Sequence, residues 1–329
     1  MAHSGAGVGR SGAESAVRGL IRSLGTVEVV APRGTVETEA ALQAGLRVQE
    51  VECPEVPGPV YAAQAALRLM ASSSVDLVVA MGGDGTLAAV ANALASAGGG
   101  APPLAGIGIG SANVGPLVTV LGRDVAGLRW ENLVQVAVDG LSCAVNGRDL
   151  GIAFNDLAFA NTFFGTLHET RVDLDACAML AGRREAAVPA SVCGPSVRVW
   201  KNGQVVLDGR EMNIGQLVAC PINDPQRFMG TAASGFLSWG PYVGCHAVLA
   251  AASVVLIRTH LTIRDLLAAE PLRLCHVAFG ESDTVAVSGL LPGAAVVADG
   301  SPMVALSVAD RVELTLRRRA VRVLRRNTE

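Results

Sequence analysis

Val78-Val79-Ala80-Met81-Gly82-Gly83-Asp84-Gly85-Thr86 runs directly into Leu87 and an Ala-rich segment. An apolar run, then three glycines in four positions, then a helical pattern reads as strand, tight loop and helix. In an open α/β fold such a strand delivers the chain to the carboxyl edge of the sheet, where ligands bind. Glycines let backbone N–H groups approach a phosphate with no Cβ in the way. The helix that follows offers its unpaired N–H groups and the positive end of its dipole to the same anion. Asp84 is the odd member, because a carboxylate among phosphates is repelled unless it holds Mg²⁺ or accepts the proton of an attacking hydroxyl. The reading makes Gly82, Gly83, Gly85 and Thr86 nucleotide-binding and Asp84 catalytic. The bland alternative is a tight turn with Asp84 as a helix cap.

Outward from this loop, residues 14–121 alternate between the two periodicities. Helical spacing is expected over Ala13–Leu24, Glu37–Leu46, Val60–Ala71 and Leu87–Ala97. Strands are expected over Val27–Ala31, Arg47–Cys53, Val75–Met81 and Leu104–Ile109. Such alternation implies a parallel sheet covered on both faces. After about Gly122 short β-type segments follow one another: Leu133–Val138, Leu150–Phe159, Val197–Trp200, Val205–Leu207, Gln216–Ala219, Thr284–Val287, Ala295–Ala298 and Val312–Leu316. Asn202-Gly203, Asp208-Gly209 and Asp299-Gly300 punctuate them as turns. Helical stretches are expected at Tyr242–Ala252 and Ile263–Ala269. The organisation expected is an α/β nucleotide-binding domain over 1–122 and a β-rich, sandwich-like acceptor domain over 123–329. The C-terminal segment has the option of packing back on the first domain.

With these residues in view, the chain resembles the kinase superfamily of NAD kinases, diacylglycerol and sphingosine kinases and, more distantly, 6-phosphofructokinases. The resemblance implies an α/β domain paired with a β-rich one, in the NAD-kinase-like manner, with ATP and Mg²⁺ in the cleft. Ala153-Phe154-Asn155-Asp156-Leu157-Ala158-Phe159 is similar to the NAD-kinase element Leu-Asn-Asp/Glu-Val-Val-Ile, which implies that Asn155 and Asp156 bind the acceptor. A polar pair inside an apolar strand is costly when buried without partners. Gly230-Thr231-Ala232-Ala233-Ser234-Gly235-Phe236-Leu237-Ser238-Trp239-Gly240-Pro241 lies on the same branch's Gly-Ser-Thr-Ala-Tyr-(x)5-Gly-Pro stretch. Thr231 and Ala233 thereby become acceptor contacts, while Ala232 and Ser234 depart from the family's Thr and Tyr. Gly110-Ser111-Ala112-Asn113 is similar to the Gly-Thr-Gly-Asn of lipid kinases but lacks the following Asp, and Val114-Gly115-Pro116-Leu117 is similar to an NAD-kinase loop. Gly110, Ser111 and Asn113 are therefore expected at the nucleotide. The match is strong at the Gly82–Thr86 loop and weaker elsewhere, and is similar to the acetoin-catabolism-associated branch. Relatives usually self-associate, which implies a homo-oligomer.

Gly7-Val8-Gly9-Arg10-Ser11-Gly12 satisfies a dinucleotide-binding pattern, but only six residues precede it, so no strand feeds the turn. Ser4-Gly5 is similar to the end of the family's Asn-Pro-x-Ser-Gly loop, and either an edge strand is lost or the start lies upstream.

The remaining composition narrows the partners. The 329 residues are 50% hydrophobic and 17% charged, with net charge −3. That balance recruits neither nucleic acid nor anionic lipid. The apolar stretch Ala247–Ile257 is about half of what a membrane-spanning helix needs, and the N-terminus does not read as a secretory signal. Seven cysteines without a C-x-x-C pair and five unpaired histidines point to no disulfide framework or metal centre, and fit a cytoplasmic protein. The arginines at 317, 318, 319, 322, 325 and 326 read as a solvated edge strand with a loose tail, the alternative being phosphate contacts. Three functions compete: ATP-dependent phosphorylation of NAD or a similar small metabolite, a lipid kinase on the same scaffold, and a non-catalytic nucleotide-binding sensor.

Overall fold

The computed structural model describes residues 9–54, 58–110, 113, 115–168, 170–223, 246–268 and 271–327. The chain divides into two units, Met1–Val138 with Arg319–Glu329, and Asp139–Arg318. The boundary expected at 122 falls inside the first of these.

In the first unit α1 (Gly9–Ser23), β1 (Glu28–Pro32), α2 (Val36–Gln43), β2 (Arg47–Val51) and α3 (Gly58–Ser72) precede the central elements β3 (Val78–Gly82), α4 (Asp84–Ser96), β4 (Leu104–Gly108) and β5 (Val118–Leu121). The sheet is parallel, as the alternation requires, but in two pieces. β1 pairs with β2 in one, while β4 lies between β3 and β5 in the other. All five residues of β4 are buried, which is why it reads as an unbroken apolar run. On α4, Leu87, Val90, Ala91 and Leu94 are each 3% exposed or less. Their i, i+3, i+4, i+7 spacing is the stripe a helix lays on a sheet. Thr35 caps α2, accepting from the Thr38 N–H at 3.4 Å, and Glu37 and Glu39 occupy the positive first turn.

The second unit is β-rich. β6 (Leu133–Val145) enters it and turns through Asn146-Gly147 into β7 (Arg148–Ala153). β8 (Leu157–Ala160), the hairpin β9 (Thr162–Leu167) and β10 (Thr170–Asp175), and the short α5 (Ala176–Leu180) follow. Next come β11 (Arg198–Lys201), β12 (Gln204–Asp208), β13 (Gln216–Pro221), β14 (Ala247–Ala252), α6 (Ile263–Ala268) and β15 (Leu274–Phe279). β16 (Thr284–Ser288), β17 (Ala295–Ala298), β18 (Ser301–Ala305) and β19 (Arg311–Arg326) complete it. One antiparallel sheet has the order β15-β14-β13-β8-β17-β18. A second aligns β12, β11, β16 and the first half of β19. Val199, Val285, Val287, Val312 and Leu314 of the second share one core with Leu157, Phe159, Leu217, Leu249 and Val296 of the first. The expected sandwich is present. Asn202 and Gly203 (φ 52° and 81°) and Asp299 and Gly300 (φ 49° and 74°) close hairpins with the positive φ angles that such two-residue turns need.

Three expectations are corrected. The helix expected over Tyr242–Ala252 is, where described, the strand β14. Ala247, Leu249 and Ala251 join the sandwich core while Val248, Ala250 and Ala252 pack in a second cluster on the other face. A strand covered on both faces is apolar throughout and carries no period to separate it from a helix. The strand expected over Leu150–Phe159 is two strands, broken at Phe154-Asn155-Asp156. The arginine-rich terminus is no edge. β19 pairs with β16 through Val312↔Val287 and, further along, with β4 through Val323↔Leu104, and Val323 is fully buried.

Candidate functional site

β3 ends on Gly82 and α4 begins at Asp84, so the loop between them is as short as a strand–helix junction allows. The Thr86 and Leu87 N–H groups both donate to the Gly83 carbonyl, at 3.0 and 3.1 Å, which starts the helix. Gly83 occupies the cap position with no side chain to spend on it. The first-turn N–H groups of a helix have no partner within it, and here they lie at the carboxyl edge of a parallel sheet. Gly85 and Thr86 stand in this first turn, both half-buried.

The loop after β4 lies against the first one. The Ile109 N–H donates to the Gly82 carbonyl at 3.0 Å. A Cβ placed on Gly110 would lie 2.5 Å from Gly83 Cα, so the approach requires glycine at position 110, while a Cβ on Gly83 would crowd Gly110 Cα at 3.3 Å. Asn113, at φ 53°, folds its carboxamide back on the same residue. Its Oδ1 accepts from the Gly110 N–H at 2.7 Å and its Nδ2 donates to the Gly110 carbonyl at 2.5 Å. Asp84 completes the junction. It does not cap α4; its Oδ1 accepts from the Gly115 N–H at 3.1 Å, 31 residues away. Gly82, Gly83, Asp84, Gly110 and Asn113 are thus brought together, while Ser111 lies outside the described residues.

Asn155 and Asp156 form, with Phe154, the turn between β7 and β8. The turn is organised by a residue that sequence reasoning missed. Asp299, 5% exposed, accepts the backbone N–H groups of Phe154 (2.9 Å to Oδ2), Asn155 (2.6 Å to Oδ1) and Asp156 (3.2 Å to Oδ1). Its own N–H donates to the Asp156 carbonyl at 2.9 Å. Burial pushes its carboxyl up to about 7, against the lowering effect of the three N–H donors. Asn223 adds a second brace, with Nδ2 3.4 Å from the Phe154 carbonyl and Oδ1 accepting from the Asp139 N–H at 2.7 Å. Asp299 is visible in the sequence only as half of an Asp-Gly turn. Nothing local signals that its carboxylate turns inward. Thr231 and Ala233 lie outside the described residues.

Several arginines of β19 have protein partners. Arg318 Nε lies 2.7 Å from Asp139 Oδ2, an ion pair outside hydrogen-bond geometry. Arg325 Nη2 donates to the Pro116 carbonyl at 2.5 Å and Arg322 to the Ala101 carbonyl. A cleft of about 540 Å³ in the first unit is lined by Gly127, Arg129, Glu131, Asn132, Val134, Arg326 and Asn327. It shares no residue with the glycine loops. Burial holds the Cys143 and Cys193 thiols up at about 12, far from reactive thiolates. Among the described residues no group of three or more His, Cys, Asp or Glu could hold a metal ion, and no helix is long and apolar enough to cross a membrane.

Residues 11–142, which include both glycine loops, match the family model of the diacylglycerol kinase catalytic domain. The matched segment lies in the first unit up to Val138. The chain is 29% identical, over 252 residues, to an uncharacterized protein of Archaeoglobus fulgidus, covering 77% of this chain and 74% of that one. A solved structure of yeast NADH kinase complexed with NADH aligns with 97% of this chain and 79% of its own, at a TM-score of 0.47 and 12% identity. The match to this kinase family rests on the segment that carries the Gly82–Thr86 loop, the same segment that carried the resemblance in the sequence.

Proposed function

We propose that this protein transfers the γ-phosphoryl group of ATP to a hydroxyl of a small polar nucleotide-like metabolite, NAD first. The observation that carries the reading is the contact of Gly83 with Gly110 beside Asp84. Two glycine loops, one helix N-terminus and one carboxylate converge at the edge of a parallel sheet inside a kinase-type domain. The backbone N–H groups and the helix dipole receive the phosphates. Asp84 accepts the proton of the attacking hydroxyl, or holds Mg²⁺. The donor set suits a metal that arrives with the nucleotide, since Mg²⁺ takes one or two carboxylates and completes its shell with phosphates and water. Bound there, the metal would neutralise charge developing on the phosphoryl oxygens. Asn155 and Asp156 supply hydrogen-bonding groups to the acceptor, as a nucleotide pocket requires a few well-placed polar groups.

The second reading is a lipid kinase. It is favoured by the family description and by apolar side chains exposed at Ile263 and Leu267, four residues apart on α6. The test is an assay of the purified chain with Mg-ATP against NAD, NADH, diacylglycerol and a sphingoid base. Phosphorylated NAD or NADH is the expected product. Turnover of a lipid alone would replace the first reading with the second, and ATP binding without any turnover would leave a nucleotide sensor.

A further inference from the structure

Asn155 is 7% exposed, and its carboxamide has one half satisfied. Nδ2 lies 3.1 Å from Asp156 Oδ2, and a carboxylate only accepts, so the amide orientation is fixed by chemistry. Oδ1 is left buried with no hydrogen-bond partner among the described residues. A buried carbonyl oxygen without a donor costs free energy that a native structure normally avoids. The backbone beneath it has the opposite character, with three successive N–H groups all satisfied by one residue, Asp299. Closing the β17–β18 hairpin does not require this. Asn or Gly at position 299 would supply the same positive φ without burying a carboxylate.

We propose that Asp299 is a positioning residue for the acceptor, its buried carboxylate holding the Phe154–Asp156 turn so that Asn155 Oδ1 is presented to an N–H or O–H donor of the substrate. The inference rests on the acceptor reading given above. The ligand chemistry it names is a donor-bearing polar molecule, with ribose hydroxyls or an exocyclic amine, since a carbonyl oxygen forms hydrogen bonds only with N–H or O–H donors. The titratable groups that face Asp299 are Asp156 in the turn and Cys220 on β13, both of them coupled to it by charge. Neither is a cation, so the three backbone N–H groups supply the compensation for its charge.

The test uses the full chain and its Asp299→Asn variant, because Asn tolerates the left-handed φ at this position. Asn keeps one acceptor oxygen but turns an NH₂ toward the backbone donors. Amide hydrogen exchange is followed at residues 154–156 and, as an internal reference, at residues 217–219 of β13. Calorimetry with NAD and with ATP accompanies it. Exchange at 154–156 is expected to accelerate about tenfold or more in the variant, with NAD affinity falling by a similar factor and ATP affinity unchanged. Unchanged exchange, or equal losses for NAD and ATP, overturns the proposal. If the wild-type chain binds no NAD while the exchange contrast holds, the NAD reading falls and the clamp stands. If both proteins bind NAD equally, the clamp falls and the reading stands. Should the variant fail to fold, the wild-type chain alone decides. Protection at 154–156 relative to 217–219 is expected to fall as pH rises through about 7, where an opening that hydrates Asp299 becomes easier, and a ratio constant from about pH 5 to 9 overturns the proposal.

Discussion

The glycine loops of the first unit and the Phe154–Asp156 turn of the second solve opposite problems with opposite means. Around Gly83 and Gly110 the site is made by removing side chains, which lets two backbones meet at the N-terminus of a helix. At Phe154–Asp156 the backbone donors are already occupied by Asp299, and the group left over is a side-chain acceptor, Asn155 Oδ1. The first arrangement suits an anion, the second a hydrogen-bond donor. A phosphoryl donor and a hydroxyl-bearing acceptor would present those two chemistries.

The comparison breaks most visibly at Asp84. Asp84→Asn keeps an oxygen to accept from Gly115, so the loops stay together, but it removes the base. Steady-state kinetics with Mg-ATP and NAD should show kcat lower by about 10²–10⁴-fold with ATP affinity nearly unchanged. Should ATP binding fall in step with kcat, Asp84 holds the loops and does no more. Next in size is Gly110→Ala, whose methyl would lie 2.5 Å from Gly83 Cα. Overpacking of this kind costs about 1–3 kcal/mol, which calorimetry should read as a roughly ten- to hundredfold loss of ATP affinity. NAD binding should be spared, and loss of both ligands together would mean that the two sites are not separable.

The buried carboxylate sharpens the contrast through pH. Because the folded Asp299 titrates near 7, above its unfolded value of about 3.9, the native state holds more protons between those limits. The stability Asp299 contributes is complete below about pH 4 and is lost as pH rises through about 7. Thermal melts of wild type and Asp299→Asn should therefore converge or cross as pH rises over that window, and parallel curves would show that Asp299 does not titrate there. The smallest effect belongs to Asn113→Ala, which removes two hydrogen bonds to Gly110 and places alanine at φ 53°. A loss of about 1–2 kcal/mol in denaturant unfolding is expected, and no loss would show that the glycine contact alone shapes the loop.

What was legible in the sequence was local. The strand–loop–helix junction at Gly82–Thr86 could be read because every determinant lies within a dozen residues, and the stripe Leu87, Val90, Ala91, Leu94 declares its own helix. The Asp-Gly and Asn-Gly turns were read for the same reason. Asp299 could not be, since the N–H groups that give it a role lie 143 to 145 residues earlier. The β14 strand was misread because AVLAAA has no polar face to betray its period, and the arginine-rich β19 because alternate charges hid Val321 and Val323. In each case the deciding information sat on a neighbouring strand.

β19 also sets the order in which the molecule can be completed. Its residues after Arg318 belong to the first unit, where Val323 pairs with Leu104 and Leu324 accepts from Thr119. On a ribosome, β3 and β4 emerge more than two hundred residues before the strand that finishes their sheet. The first unit therefore waits, with Leu104 at the head of β4 lacking its Val323 partner, until the sandwich that follows it in the chain has been made.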